Sequence, residues 1–279
     1  MSINAYYNGV FCNKGTISIP VTDRSVFFGD GIYDAAIGKG MRIFMLKEHI
    51  DRFFSNAKAL DIPFDLSEND LIRILERLCS LANYKCFFLY FQLSRFSPER
   101  CHAYPKTKKY NLLITVSEIP EPASDRILSL SVEEDVRHTM CNIKTLNLLP
   151  AVIASHKAEL QGKDEAVLHR GGIVTECAHS NIHIIKNGKL ITHPLDNFIL
   201  PGISRKHLLL VCERMGVCAE ERVFDLRELF SADEVLLTSS SKLALRVGNI
   251  NEYEYRIYDG SLGDLLCKEM HNDFYRFCK

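Results

Sequence analysis

Apolar residues in this chain recur at two spacings, and the switches between them mark out its elements. Leu46, Ile50, Phe53, Ala57 and Leu60 fall three or four positions apart and predict a helix. A second helix is expected behind Ser67-Glu68-Asn69-Asp70, where Ser67 suits the N-cap and acids fill the first turn. Leu71, Ile74, Leu75, Leu78 and Leu81 supply its buried stripe. Ahead of both, Ile17-Ser18-Ile19-Pro20-Val21 and Gly31-Ile32-Tyr33-Asp34-Ala35-Ala36-Ile37 are short runs bounded by turn residues and read as strands. Gly38-Lys39-Gly40 turns the second run into Met41 to Met45 as a hairpin, and strand-like runs return over 86–96 and 110–116. The first part is therefore α+β, with helices packed on an antiparallel sheet.

The pattern breaks at Ser117-Glu118-Ile119-Pro120-Glu121-Pro122-Ala123-Ser124-Asp125, where two prolines stand among polar residues. Residues 1–117 are read as a smaller N-terminal α+β domain, 118–126 as a linker and 127–279 as a strand-rich, mixed C-terminal domain. In the latter, Ala151 to Leu160 predicts a helix, and Gly171-Gly172 and Asn187-Gly188 predict hairpin turns. Ser204 to Met215 reads as a helix closed by Gly216. Val235 to Thr238 is a strand running into hydroxyls, and Ser261 to Phe277 is a terminal helix.

A length of 279 residues accommodates two such domains. The net charge of −1 supplies no attraction to nucleic acid or to an anionic membrane, which leaves small molecules as partners. The opening MSINAYYNGVFCNKG has no basic segment followed by a long apolar core. No apolar run approaches the roughly 18 residues that span a bilayer. The ten cysteines form no CxxC pair, so no metal site is suggested, and dispersed thiols fit a reduced, cytoplasmic protein.

One stretch carries an odd residue. In Met140-Cys141-Asn142-Ile143-Lys144-Thr145-Leu146-Asn147-Leu148-Leu149 a single lysine stands in an apolar run. It could lie along an element edge with its ammonium in water. It could also be a lysine whose pKa is lowered by burial, ready to form a Schiff base. Three downstream features suit a phosphorylated, electron-withdrawing cofactor. Leu200-Pro201-Gly202-Ile203-Ser204-Arg205 feeds a helix whose free N–H groups favour a phosphate, or is simply a serine cap. Thr238-Ser239-Ser240-Ser241 could close the other side of that phosphate, or be a serine-rich turn. Glu176 could hold a pyridine nitrogen protonated, or be an exposed strand residue.

With those residues in view, the chain resembles the fold-type IV pyridoxal-phosphate enzymes, and among them the D-amino acid aminotransferases. The resemblance runs through FGDGIYD at 28–34, EHIDR at 48–52, IKTLNLL at 143–149, VTECAHSN at 174–181, THP at 192–194, ILPGISR at 199–205 and LLTSSS at 236–241. It implies a two-domain fold with pyridoxal 5'-phosphate between the domains. Lys144 would carry the cofactor as an imine and move the proton between the substrate α-carbon and the cofactor. Glu176 would pair with the pyridine nitrogen, and Leu200 would lie against the ring. Arg52, the Ile203 backbone, Ser204 and the Ser239-Ser240 corner would bind phosphate. Arg137 stands where the family places a basic residue near the cofactor.

At the substrate end, the resemblance assigns the α-carboxylate to Tyr33 and to Arg100 and His102 of Arg100-Cys101-His102, the latter two reaching the partner subunit of a homodimer. Tyr90 would join them. The implied reaction is transamination between a D-amino acid of the D-alanine type and an α-keto acid such as 2-oxoglutarate. A branched-chain L-aminotransferase shares the fold, but would leave Arg100 and His102 without a role. A 4-amino-4-deoxychorismate lyase would use the same lysine, and a cofactor-binding protein without catalysis would not need it. Asp34, Ala35, Ile37, His138 and His179 depart from the family pattern and leave the preferred side chain open.

Overall fold

The computed structural model describes residues 3–278, which fall into two compact units. Of these, the first comprises residues 3–121, Ile143–Asn147 and residues 277–278. Its elements are β1 (Ala5–Tyr7), β2 (Val10–Cys12), α1 (Arg24–Phe28), β3 (Gly31–Lys39), β4 (Arg42–Ile43), α2 (Leu46–Ala59), α3 (Glu68–Ala82), β5 (Cys86–Arg95) and β6 (Tyr110–Glu118). The sheet runs β2-β1-β6-β5-β3-β4 and is antiparallel at every pairing. The helical stripes predicted on α2 and α3 are buried: Ile50, Phe53, Leu71, Leu75 and Leu78 share one core with Phe87, Leu89 and Phe91 of β5. Ser67 caps α3 by accepting from the Asp70 amide at 3.1 Å.

Two features of this unit differ from the sequence reading. Residues 17–21 form no strand. Pro20 has no N–H to offer a neighbour, and Ile19 and Val21 are exposed rather than alternating into a core. The second difference concerns the lysine, which the sequence places in the C-terminal domain. Residues 143–147 instead make their contacts with the first unit, along the start of β3. Thr145 bridges Ile32, the Tyr33 amide donates to the Lys144 carbonyl (3.0 Å) and the Leu146 amide donates to the Gly31 carbonyl (3.0 Å). Gly31 permits this approach, because a Cβ there would lie 2.7 Å from the Leu146 side chain and 2.6 Å from the Leu93 carbonyl oxygen.

The second unit comprises Pro122–Asn142 and Leu148–Arg276. It contains β7 (Ile127–Glu134), α4 (Leu149–Leu160), β8 (Glu165–Arg170), β9 (Ile173–Cys177), β10 (Asn181–Lys186), β11 (Lys189–Thr192), α5 (Ile203–Met215), β12 (Ala219–Glu221), α6 (Leu226–Phe230), β13 (Glu234–Ser239), β14 (Leu243–Ile250), β15 (Tyr253–Glu254) and α7 (Leu262–Phe277). Its sheet runs β12-β11-β10-β13-β14-β7-β8-β9, with β15 on β14. It is mixed: β7 lies parallel to both β14 and β8, with α4 as the crossover to β8.

Strand β13 is buried on both faces, which explains its continuous apolar run. Leu236 packs with Leu208 and Leu266, whereas Leu237 packs with Val247 and Leu229 on the opposite face. Asn187 and Gly188 both adopt positive φ (52° and 74°), as the turn joining β10 to β11 requires. Gly216 closes α5 at φ 70°. On α4, Leu149, Val152, Ile153 and Leu160 line one face and are exposed.

Candidate active site

The candidate lysine lies in the first unit. Lys144 is half-buried, and its Nζ sits 4.3 Å from the centroid of the Tyr33 ring. Tyr33 stacks on Tyr90 at 5.4 Å, as diagonal positions on β3 and β5 allow: Tyr33 faces Gln92, and Tyr90 faces Ala35. The Tyr90 hydroxyl donates to Gln92 Oε1 (2.7 Å), and burial pushes its phenol upward, so it stays neutral.

Next along β3, alternation turns Asp34 inward, where it is fully buried. Arg52 meets it with a forked contact, Nε to Oδ2 and Nη2 to Oδ1, both 2.8 Å. His49 Nδ1 lies 2.7 Å from Oδ1. Burial alone would raise the Asp34 carboxyl, but Arg52 and His49 outweigh it and hold it well below the usual range. Burial also lowers His49, against the pull of Asp34, so the imidazole is neutral and donates. Arg52, expected at a phosphate, is thus held in place by a buried carboxylate.

Arg100 and His102 lie in the loop between β5 and β6 with exposed side chains. The Arg100 guanidinium carbon is 5.0 Å from the Phe28 ring centroid, and the His102 ring is 5.2 Å from it.

The candidate acid lies in the second unit. Glu176 is buried, and three donors aim it. Arg137 Nη1 donates to Oε1, while Asn181 Nδ2 and the Leu200 amide each donate to Oε2 at 3.0 Å. Arg137 is itself oriented by Asp135 (2.9 Å from both Nε and Nη2) and by the Phe198 carbonyl (3.0 Å). Burial would raise Asp135, but Arg137 and then Arg170 bring it down to about 2.

Asn181 is the residue around which these groups converge. Its Nδ2 donates to the Leu200 carbonyl as well as to Glu176 (3.1 and 3.0 Å). Across the sheet it pairs with Thr238, immediately before Ser239 and Ser240. Its Oδ1 lies where a Cβ on Gly202 would be, at 1.9 Å, so only glycine fits there without a shift. Gly202 in turn has no side chain to cap α5, whose first residues are Ile203 and the buried Ser204. Amides at a helix start with hydroxyls nearby suit a phosphate, and the oriented Glu176 suits a protonated ring nitrogen. The residues present fit a phosphorylated pyridine.

The expected site residues therefore gather in three groups. Lys144, Tyr33 and Tyr90 are together, Arg100 and His102 share Phe28, and Arg137, Glu176 and Leu200 surround Asn181. Arg52 stands with Asp34 and His49. Asn181 was missed as a site residue although it ends the VTECAHSN motif, because an asparagine on a strand has no reactive chemistry to single it out.

A family model described as amino-transferase class IV matches residues 31–250. The D-alanine aminotransferase of Listeria monocytogenes serotype 4b (strain F2365) is 36% identical over 272 residues, covering 96% of this chain and 93% of that one. Among solved structures, the branched-chain aminotransferase from the thermophilic archaeon Thermoproteus uzoniensis, with norvaline, superposes with a TM-score of 0.89 at 18% identity, over 99% of this chain and 94% of that one. A putative 4-amino-4-deoxychorismate lyase from Legionella pneumophila gives 0.85 at 24% identity, over 93% and 97%.

Proposed function

This chain belongs to the class IV aminotransferases, pyridoxal-phosphate-dependent enzymes, and on that footing we propose that it transaminates D-amino acids of the D-alanine type with an α-keto acid such as 2-oxoglutarate. The single observation that carries the stereochemical choice is the exposed Arg100–His102 pair, gathered on the Phe28 ring. An arginine with an imidazole beside it is a carboxylate clamp. The likeness to D-alanine aminotransferase over 96% of the chain supports the same choice. The branched-chain enzyme and the lyase are like this chain in fold alone.

In this reading the cofactor supplies the electron sink that makes the substrate α-proton acidic. Lys144 would hold it, and its amine, once freed by the incoming substrate amine, would carry that proton. Glu176, aimed by Arg137, Asn181 and the Leu200 amide, keeps the ring nitrogen protonated. Ile203, Ser204, Ser239, Ser240 and Arg52 bind phosphate, and Leu200 covers the ring. Tyr33, Arg100 and His102 bind the substrate carboxylate, with Tyr90 behind Tyr33. The working form is a homodimer in which Arg100 and His102 serve the partner's site. The exposed apolar face of α4 supports an assembled form. Ten unpaired cysteines fit a reducing cytoplasm.

The test uses purified, cofactor-loaded protein, with D-alanine and L-leucine added separately while the visible absorption band of the bound cofactor is followed. Loss with D-alanine only, reversed by 2-oxoglutarate, is expected. Loss with L-leucine only would make it a branched-chain enzyme. Pyruvate released from aminodeoxychorismate, with neither amino acid active, would make it a lyase.

A further inference from the structure

The loop carrying Arg100 and His102 has no helix or strand between β5 and β6, yet its backbone is held from beneath. Arg24, the first residue of α1, is only 3% exposed. Its Nη1 donates to the carbonyl of Cys101 and, at 3.4 Å, to that of Ala103. Its Nη2 donates to the His102 carbonyl at 3.3 Å. The remaining edge pairs with Asp30, Nε to Oδ2 at 2.6 Å.

Asp30 is shared with a second buried arginine, Arg95, at 3.0 Å. Arg95 is fixed by the carbonyls of Leu60 and Asp61 (2.6 and 2.8 Å), and the Tyr104 ring of the same loop covers it at 3.6 Å. Phe28, one helical turn after Arg24, carries the guanidinium of Arg24 at 4.7 Å together with Arg100 and His102.

A buried guanidinium is expensive unless every donor finds a partner. Here three consecutive loop carbonyls supply those partners, so the cluster and the loop conformation sustain each other. Arg100 and His102 flank Cys101, and fixing the carbonyls from 101 to 103 fixes the direction in which both side chains leave the chain.

We propose that Arg24 is a positioning residue for substrate recognition, holding residues 101–103 so that Arg100 and His102 project together toward a carboxylate. The proposal rests on the transaminase reading above. It assigns Arg24 no contact with substrate or cofactor.

The experiment compares Arg24→Gln, Arg24→Lys, Arg100→Ala and the Arg24→Gln/Arg100→Ala double variant as full-length, cofactor-loaded protein. Arg24→Gln is expected to raise KM for D-alanine about tenfold or more, with a smaller fall in kcat and an unchanged cofactor band. Half-reaction with (R)-1-phenylethylamine, which lacks a carboxylate, is expected to be unaffected. Hydrogen exchange at 100–104 should quicken in the cofactor-free protein as well, and Arg24→Lys should fall between parent and Arg24→Gln.

The double variant should raise KM for D-alanine by less than the product of the two single effects, because part of what Arg24→Gln removes is the placing of Arg100. Should the Arg24 variants fail to fold, Tyr104→Ala, which removes the ring over Arg95, gives the same exchange and KM readouts. An Arg24→Gln protein with unaltered KM, or with the carboxylate-free amine slowed equally, overturns the proposal while leaving the transaminase reading intact. An Arg100→Ala protein with unaltered KM overturns that reading itself, and this proposal with it.

Discussion

Tyr33 holds Lys144 twice, once through its amide to the lysine carbonyl (3.0 Å) and once through its ring, 4.3 Å from the ammonium. The first contact sets the backbone and the second sets the side chain. Lys144→Ala removes the second alone, so the variant should fold and still bind pyridoxal phosphate non-covalently. Turnover should disappear. Mass spectrometry after borohydride reduction should find the pyridoxyl adduct on the Lys144 peptide of the parent and nowhere in the variant; an adduct on another lysine would remove Lys144 from its assigned role.

Asn181 and Gly202 should behave as one unit. Asn181→Ala takes one donor from Glu176 and one from the Leu200 carbonyl, which costs about 1–3 kcal/mol in a buried site. Gly202→Ala forces the same amide aside. Both variants should release cofactor more readily, measured as a raised dissociation constant, and combining them should add little. Full additivity would show that the two positions act separately.

Acid should loosen the second unit through His183. It is fully buried between the hydroxyls of Thr192 and Thr238, each 2.9 Å away, and burial, aided by Arg205, lowers it to about 3. A base whose folded pKa is depressed stabilises the fold above its unfolded value near 6.5, and that contribution falls as pH drops toward 3. The loss reaches roughly 2–3 kcal/mol by pH 4.5. Urea unfolding at pH 7 and 4.5 should show a smaller difference for His183→Asn than for the parent. His49 and His271, lowered by burial in the same direction, keep their share in both proteins.

The face formed by Leu149, Val152, Ile153 and Leu160 gives an assembly test. Leu149→Asp with Ile153→Asp places charge on exposed positions and leaves the core alone. Sedimentation should show a monomer, with activity lost alongside assembly. A fully active monomer would refute the homodimer.

Local order was readable where one residue's chemistry decides it. Ser67 caps α3 because its hydroxyl reaches the Asp70 amide, and Asn187-Gly188 turns because both residues accept positive φ. The lysine, the acid and the hydroxyl corner were visible from the order of their motifs. What escaped depends on partners far apart in the chain. Pro20 is the one local sign that Ile17 to Val21 will lack a strand partner, and it does not by itself exclude an edge strand. Arg24 reads as one more surface arginine until its bonds to carbonyls more than seventy residues away are seen. The parallel pairing of β7 with β14 is likewise invisible to local pattern, because the alternation of Leu128 and Leu130 with Ser129 and Ser131 suits a parallel or an antiparallel neighbour equally.

The return of residues 143–147 to the β3 edge has a consequence for biosynthesis. A ribosome delivers the chain in order, at about 5–20 residues per second. The sheet that begins with β1 and ends with β6 is fully synthesised by Glu118, yet its contacts at Gly31, Ile32 and Tyr33 wait until Leu146 has emerged. Those late contacts hold Lys144, the residue proposed above to hold the cofactor. A nascent chain arrested before residue 143 can therefore pack its first sheet but lacks both these contacts and the lysine proposed to hold the cofactor.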